Sequence, residues 1–237
     1  MNQLSLTNLC KPLRLGDPYF RPYYPPIGKD KPKVFLVGIN PASTIGNDKE
    51  IDEFIKLINN RDKFDELYTS ERLKNNLPEI SRTRLGINAF VNHVQNKTGN
   101  TILETNVISY PTKEENDLKE LSPEVLMRSK EVFEEIFFHF QPRVLIFHSK
   151  KAINIFNEIL LKNNLEIIKT EELTYPVSEI EKRNSPIHEF QYKDGQYAAV
   201  FVCRHLMYYG KEGLSFLEFR NRVCDYLQSP RGSDEKS

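Results

Sequence analysis

Apolar and polar positions along the chain alternate between two periods. Val34-Phe35-Leu36-Val37 is an unbroken apolar run followed by Gly38, and predicts a buried strand within residues 31–40. Residues 48–75 switch to helical spacing, with Ile51, Phe54, Ile55 and Ile58 recurring at steps of three and four, and residues 82–96 repeat that pattern through Leu85, Ile87, Phe90, Val91 and Val94. Ile102–Ser109 predicts a second strand, ended by Tyr110-Pro111. A helix then opens with Ser122 as cap and Pro123 in its first turn and runs to Phe140. Arg143–His148 predicts a third strand, residues 150–161 a helix, Ala198–Cys203 a fourth strong strand, and residues 213–227 a last helix. Residues 165–196 carry a weaker pattern, read as a short strand and a polar excursion. Continuous apolar strands separated by helices point to an α/β fold: three layers, α/β/α, around a mainly parallel four-stranded sheet.

Three further regions frame this pattern. Residues 1–30 are rich in Pro and Tyr and read as an irregular arm whose aromatics pack on the domain surface. Residues 31–227 form the expected single domain, and residues 228–237 the expected disordered tail. With 39% hydrophobic residues in 237, the chain can build a sizeable core. No apolar run reaches bilayer length, and the opening stretch lacks the pattern of a secretory signal, so a cytoplasmic location is expected; nothing in the sequence demands more than a monomer. Cys10, Cys203 and Cys224 are scattered, without metal-ligand spacing; neither metal nor cofactor is expected, and a four-cysteine cluster is excluded by count. Thirty-three basic residues balance 33 acidic ones. Zero net charge argues against a protein that coats nucleic acid nonspecifically and leaves room for local phosphate contacts.

In a parallel sheet the strand carboxyl ends share one edge, where open α/β sheets place their ligands. The polar residues predicted there are Asn40, Asn106, His148-Ser149 and Arg204-His205. Each has a bland alternative. Asn40 can cap a turn, Asn106 can tie strand ends together, and either histidine can be structural, which for His148 is the favoured reading.

GINPAS after an apolar strand resembles the first motif of the uracil-DNA glycosylase superfamily, in the G-[IM]-N-P-G form of its mismatch-specific and single-strand-selective branches. TNVISYP resembles the segment in which an Asn reads the base. VFVCRHLMYYG resembles the late strand that ends in His before the loop entering DNA, and RVLIFHSKKAINIF fits the third βα unit. The order agrees over roughly residues 31–227. The resemblance implies a DNA glycosylase that flips a pyrimidine out of the stack and hydrolyses its bond to the sugar. It implies that Asn40 positions the attacking water, with Pro41 and Ala42 beside the base. Asn106 then reads the base edge, and His205 donates a hydrogen bond to the base oxygen as negative charge grows there. Leu206 and Met207 are implied wedge residues that fill the gap left by the flipped base, with core packing as their alternative. Arg204, Lys211, Lys150 and Lys151 are the candidate DNA phosphate contacts.

The chain departs from the family pattern in several places. His205-Leu206-Met207 replaces the usual His-Pro-Ser, residues 44–82 are longer than in compact members, and the stacking aromatic has only candidates, Phe54, Tyr68 and Phe90. Two other classes compete with the enzyme. One is a nucleic-acid or nucleotide binding module of the same fold without catalysis. The other is an unrelated α/β hydrolase, weakened by the lack of a G-x-S-x-G elbow or a phosphate loop.

Ala42 stands where the most uracil-selective branch carries a bulky Tyr that excludes 5-substituted pyrimidines. The small side chain predicts tolerance of larger bases, including the hypermodified cytosines of phage DNA on which some bacterial defence glycosylases of this superfamily act. Matched oligonucleotides carrying uracil, a thymine mismatch or glucosylated hydroxymethylcytosine are expected to yield abasic sites at more than uracil alone. Cleavage restricted to uracil would remove the open-wall argument.

Overall fold

The computed structural model describes residues 5–26, 30–113, 115–168, 173–182 and 186–229; most of the expected disordered tail, residues 230–237, lies outside them. The sheet is built on four parallel strands: β2 (Val34–Gly38), β3 (Ile102–Asn106), β4 (Val144–Phe147) and β6 (Tyr197–Val202). The expectation of four strands is corrected to six. β1 (Tyr23–Tyr24) joins β3 antiparallel at one edge, and β5 (His188–Gln191) joins β6 antiparallel at the other, in the order β1-β3-β2-β4-β6-β5. Both additions cap strand edges that would otherwise present unpaired backbone groups.

Side-chain alternation divides the interior into two layers. Phe35, Val37, Leu103, Leu145, Phe147, Val200 and Val202 face α5 (Pro123–Phe140) and α6 (Lys150–Lys162), packing on Phe133, Phe137 and Phe156. Val34, Leu36, Ile102, Ile146, Ala199 and Phe201 face α4 (Arg82–Thr98) and α8 (Leu217–Gln228) through Phe90, Val94, Phe219 and Val223. Strands buried on both faces explain why their sequences read as continuous apolar runs. A third, smaller cluster joins Tyr24 of the arm to Phe54 of α2 (Ile51–Ile58) and Phe64 of α3 (Arg61–Lys74). The helical stretch 48–75 is thus two helices, divided where Asn60 caps α3 by accepting from the Lys63 amide at 3.1 Å. Two short helices, α1 (Leu6–Cys10) and α7 (Val177–Ile180), complete the eight among the described residues. None of these helices is long and apolar enough to cross a membrane.

The arm packs tightly. Phe20 is fully buried, the Arg21 amide donates to the Ser109 carbonyl at 2.9 Å, and Thr105 Oγ1 donates to the Pro22 carbonyl at 2.7 Å. At the opposite side of the site, α4 lies directly against the turn that follows β6. A Cβ on Gly86 would overlap the Leu206 carbonyl oxygen and come within 2.9 Å of the Leu206 carbonyl carbon and 3.1 Å of Tyr209 Cβ. Backbone cannot yield there as a side-chain tip can. Gly86→Ala is expected to destabilise the fold by about 3 kcal/mol through overpacking, read as a lower urea midpoint. A loss below about 1 kcal/mol would show that this helix and turn are not in such close contact.

Candidate active site at the strand carboxyl ends

Register places the site groups in one row. Gly38 pairs with Asn106 across β2 and β3, and Val37 pairs with Phe147, so His148 follows β4 at the level of Gly38. The His148 amide donates to the Val37 carbonyl at 3.2 Å, continuing the ladder by one bond. Because side chains alternate, Leu36, Gly38, Glu104, Asn106, Ile146 and His148 share the face toward α4 and α8. Gly38 is the gap in this row. A Cβ there would stand 2.5 Å from Asn106 Oδ1 and 3.0 Å from His148 Nε2. The missing side chain is what allows the amide and the imidazole to lean together over the end of β2.

His205 closes the row from beyond β6, its ring centroid 5.1 Å from that of His148 at 74°. Its Nδ1 accepts from the Met207 amide at 3.3 Å, which leaves Nε2 to carry the ring proton. His148 is half-buried, but its Nδ1 is enclosed and finds no partner among the described residues. Burial first, then the neighbouring His205 and Arg84, push its pKa down from 6.5 to about 3, so it stays neutral through the physiological range.

Asn40 lies just past β2 and is held by a group that the sequence motifs did not single out. Its Nδ2 donates to Thr112 Oγ1 at 2.7 Å and to the Pro41 carbonyl at 3.2 Å, while the Thr112 amide donates to that same carbonyl at 3.1 Å. With the nitrogen occupied, the side-chain oxygen is the acceptor left to face the cleft. Asn106 makes no side-chain hydrogen bond to the described residues and is half-buried, so its amide offers donor and acceptor together. Pro41 is buried and Ala42 exposed at the rim.

These residues line one cleft of about 1210 Å³ that runs from the strand ends toward the arm and α3. A shallower depression over α3, lined by Asp62, Glu66 and Leu73, holds none of them. Of the candidate stacking rings, Phe54 and Phe90 are buried in separate clusters, whereas Tyr68 lines the cleft together with Tyr24 and Tyr208.

Several expectations for the surrounding loops are corrected. Leu206 is 0% exposed and belongs to the core under α4, so it cannot act as a wedge; Met207 and Tyr208 are 37% and 63% exposed. Arg204 is spent on the protein: its amide and Nε donate to Glu181, a carboxylate only 4% exposed, and Nη2 donates to the Ser215 carbonyl at 2.8 Å. Phe216 lies 4.6 Å beneath its guanidinium. Lys150 Nζ donates to the Tyr175 carbonyl at 3.0 Å. Lys151 and Lys211 are exposed.

Sequence reading also passed over Glu104. It sits one pleat below Asn106 and accepts from Arg84 and, at 3.2 Å, from Arg61; Tyr24, its register partner on β1, stacks under both guanidiniums. A glutamate inside an apolar strand was the available signal, since a buried charge requires partners. Among the described residues no cluster of three or more His, Cys, Asp or Glu could hold a metal ion. No protein-family model matches the chain, and no curated protein matches it significantly.

The buried neutral state of His148 has a measurable sign. Its folded pKa is below its unfolded one, so the unfolded chain binds the extra proton between pH 6.5 and about 3. Stability falls as pH drops through that window, with this group contributing up to about 1.4 kcal/mol per pH unit. Urea denaturation across pH 7 to 4 is expected to show a shallower acid loss for His148→Gln than for the wild type. Parallel curves would mean that the imidazole is not buried in the neutral form.

Proposed function

We propose that this chain is a DNA N-glycosylase that hydrolyses the bond between deoxyribose and a pyrimidine-type base, uracil or a 5-modified base, leaving an abasic site. The observation that carries the reading is the convergence of Asn40, Asn106, His148 and His205 on one cleft at the strand carboxyl ends. It is joined by the motif resemblance to the uracil-DNA glycosylase superfamily.

The chemistry requires little beyond position and polarity. The glycosidic bond breaks with its electron pair leaving on the base, and the sugar becomes oxocarbenium-like. Water adds at C1′ and releases a proton, which neutralises the departed base anion. In this reading Asn40 Oδ1 orients that water; an amide cannot accept its proton, so the rate is expected to trail that of a carboxylate at the same position. The donor and acceptor of Asn106 match the edge of a pyrimidine. His205 presenting Nε2–H, with neutral His148 behind it, supplies a hydrogen bond that strengthens as the base oxygen gains charge. The exposed pair Met207-Tyr208 takes over the wedge role, with Lys211 exposed nearby for a phosphate.

A second reading, a binding module of the same fold, is favoured by one specific observation. Arg204 and Lys150, two of the four expected phosphate contacts, are committed to intramolecular partners. Abasic-site formation separates the two. Asn40→Ala and His205→Ala are expected each to lower alkali-revealed strand cleavage by about 100-fold or more, with circular dichroism and DNA retention unchanged. Wild-type protein that forms no abasic site in any DNA tested would leave the binding module.

A further inference from the structure

The half of the cleft that faces the arm carries a charge that the described protein does not balance. Three arginines gather around two carboxylates. Arg61 bonds Asp65 at 2.9 Å and Glu104 at 3.2 Å, and its remaining donors reach the Pro25 carbonyl and Asn88. Arg84 bonds Glu104 and stacks 3.6 Å over Tyr24. Arg21 pairs with neither carboxylate. Its only side-chain hydrogen bond among the described residues runs from Nη1 to the Ser43 carbonyl at 3.3 Å, and its guanidinium lies 5.7 Å from the Phe64 ring centre. Burial first, and then repulsion from Arg84, lower its pKa to about 10, as expected for a cation short of counter-charge. The first turn of α4 begins beside this group with no acidic residue to offset it. Arg21 is held by the arm at Ser109 and by the turn that carries Asn40 and Ser43, so its guanidinium is fixed at the cleft wall rather than swinging in solvent.

A fixed guanidinium with an unused Nε and Nη2 presents a two-pronged donor, the shape that binds an oxyanion through parallel hydrogen bonds. We propose that Arg21, supported by Arg84, forms an oxyanion subsite in the arm-side half of the cleft that takes a phosphate or carboxylate group carried by the substrate. That the substrate's base occupies the other half rests on the glycosylase reading; the oxyanion chemistry does not. Two sources share this chemistry: the sugar phosphate of the bound nucleotide, and an anionic substituent on the base itself.

The test uses the full chain and inorganic phosphate at constant ionic strength. Calorimetric titration is expected to give saturable binding of about one phosphate per chain, weakened about tenfold or more in Arg21→Gln. Should that variant fold poorly, phenylglyoxal labelling of the wild type read by mass spectrometry answers the same question, because phosphate is expected to protect Arg21. Competition then assigns the source. Displacement of phosphate by deoxyuridine 5′-monophosphate, but not by deoxyuridine, identifies the sugar phosphate; displacement by 5-carboxydeoxyuridine identifies a base substituent. Unsaturable phosphate binding, equal binding by Arg21→Gln, no protection of Arg21, or no displacement by either anionic ligand overturns the proposal. Phosphate binding needs no catalysis, so a subsite lost in Arg21→Gln survives even if no base is ever excised.

Discussion

The space above Gly38 is the constraint on which the site depends. Parallel register sets Asn106 and His148 on either side of that residue and on one sheet face, so any side chain at Gly38 would occupy the volume into which both polar groups lean. Asn40 follows two residues later, its amide turned by Thr112 from the segment after β3, and His205 enters from the far side of β4. The parallel pairing brings four strand ends to one edge, across more than 160 residues of chain between Asn40 and His205, and the missing Cβ at Gly38 lets Asn106 and His148 close over its centre.

Around that point the fold supplies rigid walls of different character. On the β6 side, Gly86 lets α4 press against the backbone of Leu206, and Glu181 holds Arg204, so the turn bearing His205 is anchored at both flanks. On the β3 side, the wall is charged: Glu104 beneath Asn106 is satisfied by Arg61 and Arg84, and Tyr24 of the arm packs against both. Removing one partner from such a buried set leaves another charge uncompensated, which ties the arm, α3 and α4 to the integrity of the site.

The central strands were legible because parallel strands buried on both faces write themselves as apolar runs, and the Ser122-Pro123 start of α5 was legible from its cap. The edge strands were not. Tyr23-Tyr24 spans two residues inside a Pro-rich segment, and His188–Gln191, the short strand expected somewhere within residues 165–196, alternates too briefly to be placed or counted with the core strands. Asn40, Asn106 and His205 could be placed at one edge from strand ends alone. His148 was undervalued because its motif carried no distinguishing spacing, and only register shows it facing Asn106 over Gly38. Leu206 stayed open between wedge and core because nothing local marks a loop residue as core; its burial depends on Gly86, 120 positions away. Arg204 was misread for the same reason, its partner Glu181 lying in the weakly patterned stretch before β5.

Under the proposed reading, a neutral His148, an oriented amide and a cleft with a charged annex serve the departure of an anionic base rather than proton-relay hydrolysis. The most direct measurement is hydrolysis of DNA bearing modified pyrimidines in water enriched in ¹⁸O, with the products identified by mass spectrometry. The account predicts an intact free base and an abasic deoxyribose carrying one ¹⁸O at C1′. Release of no base, or ¹⁸O found in a phosphate or in the base instead of the sugar, would contradict it.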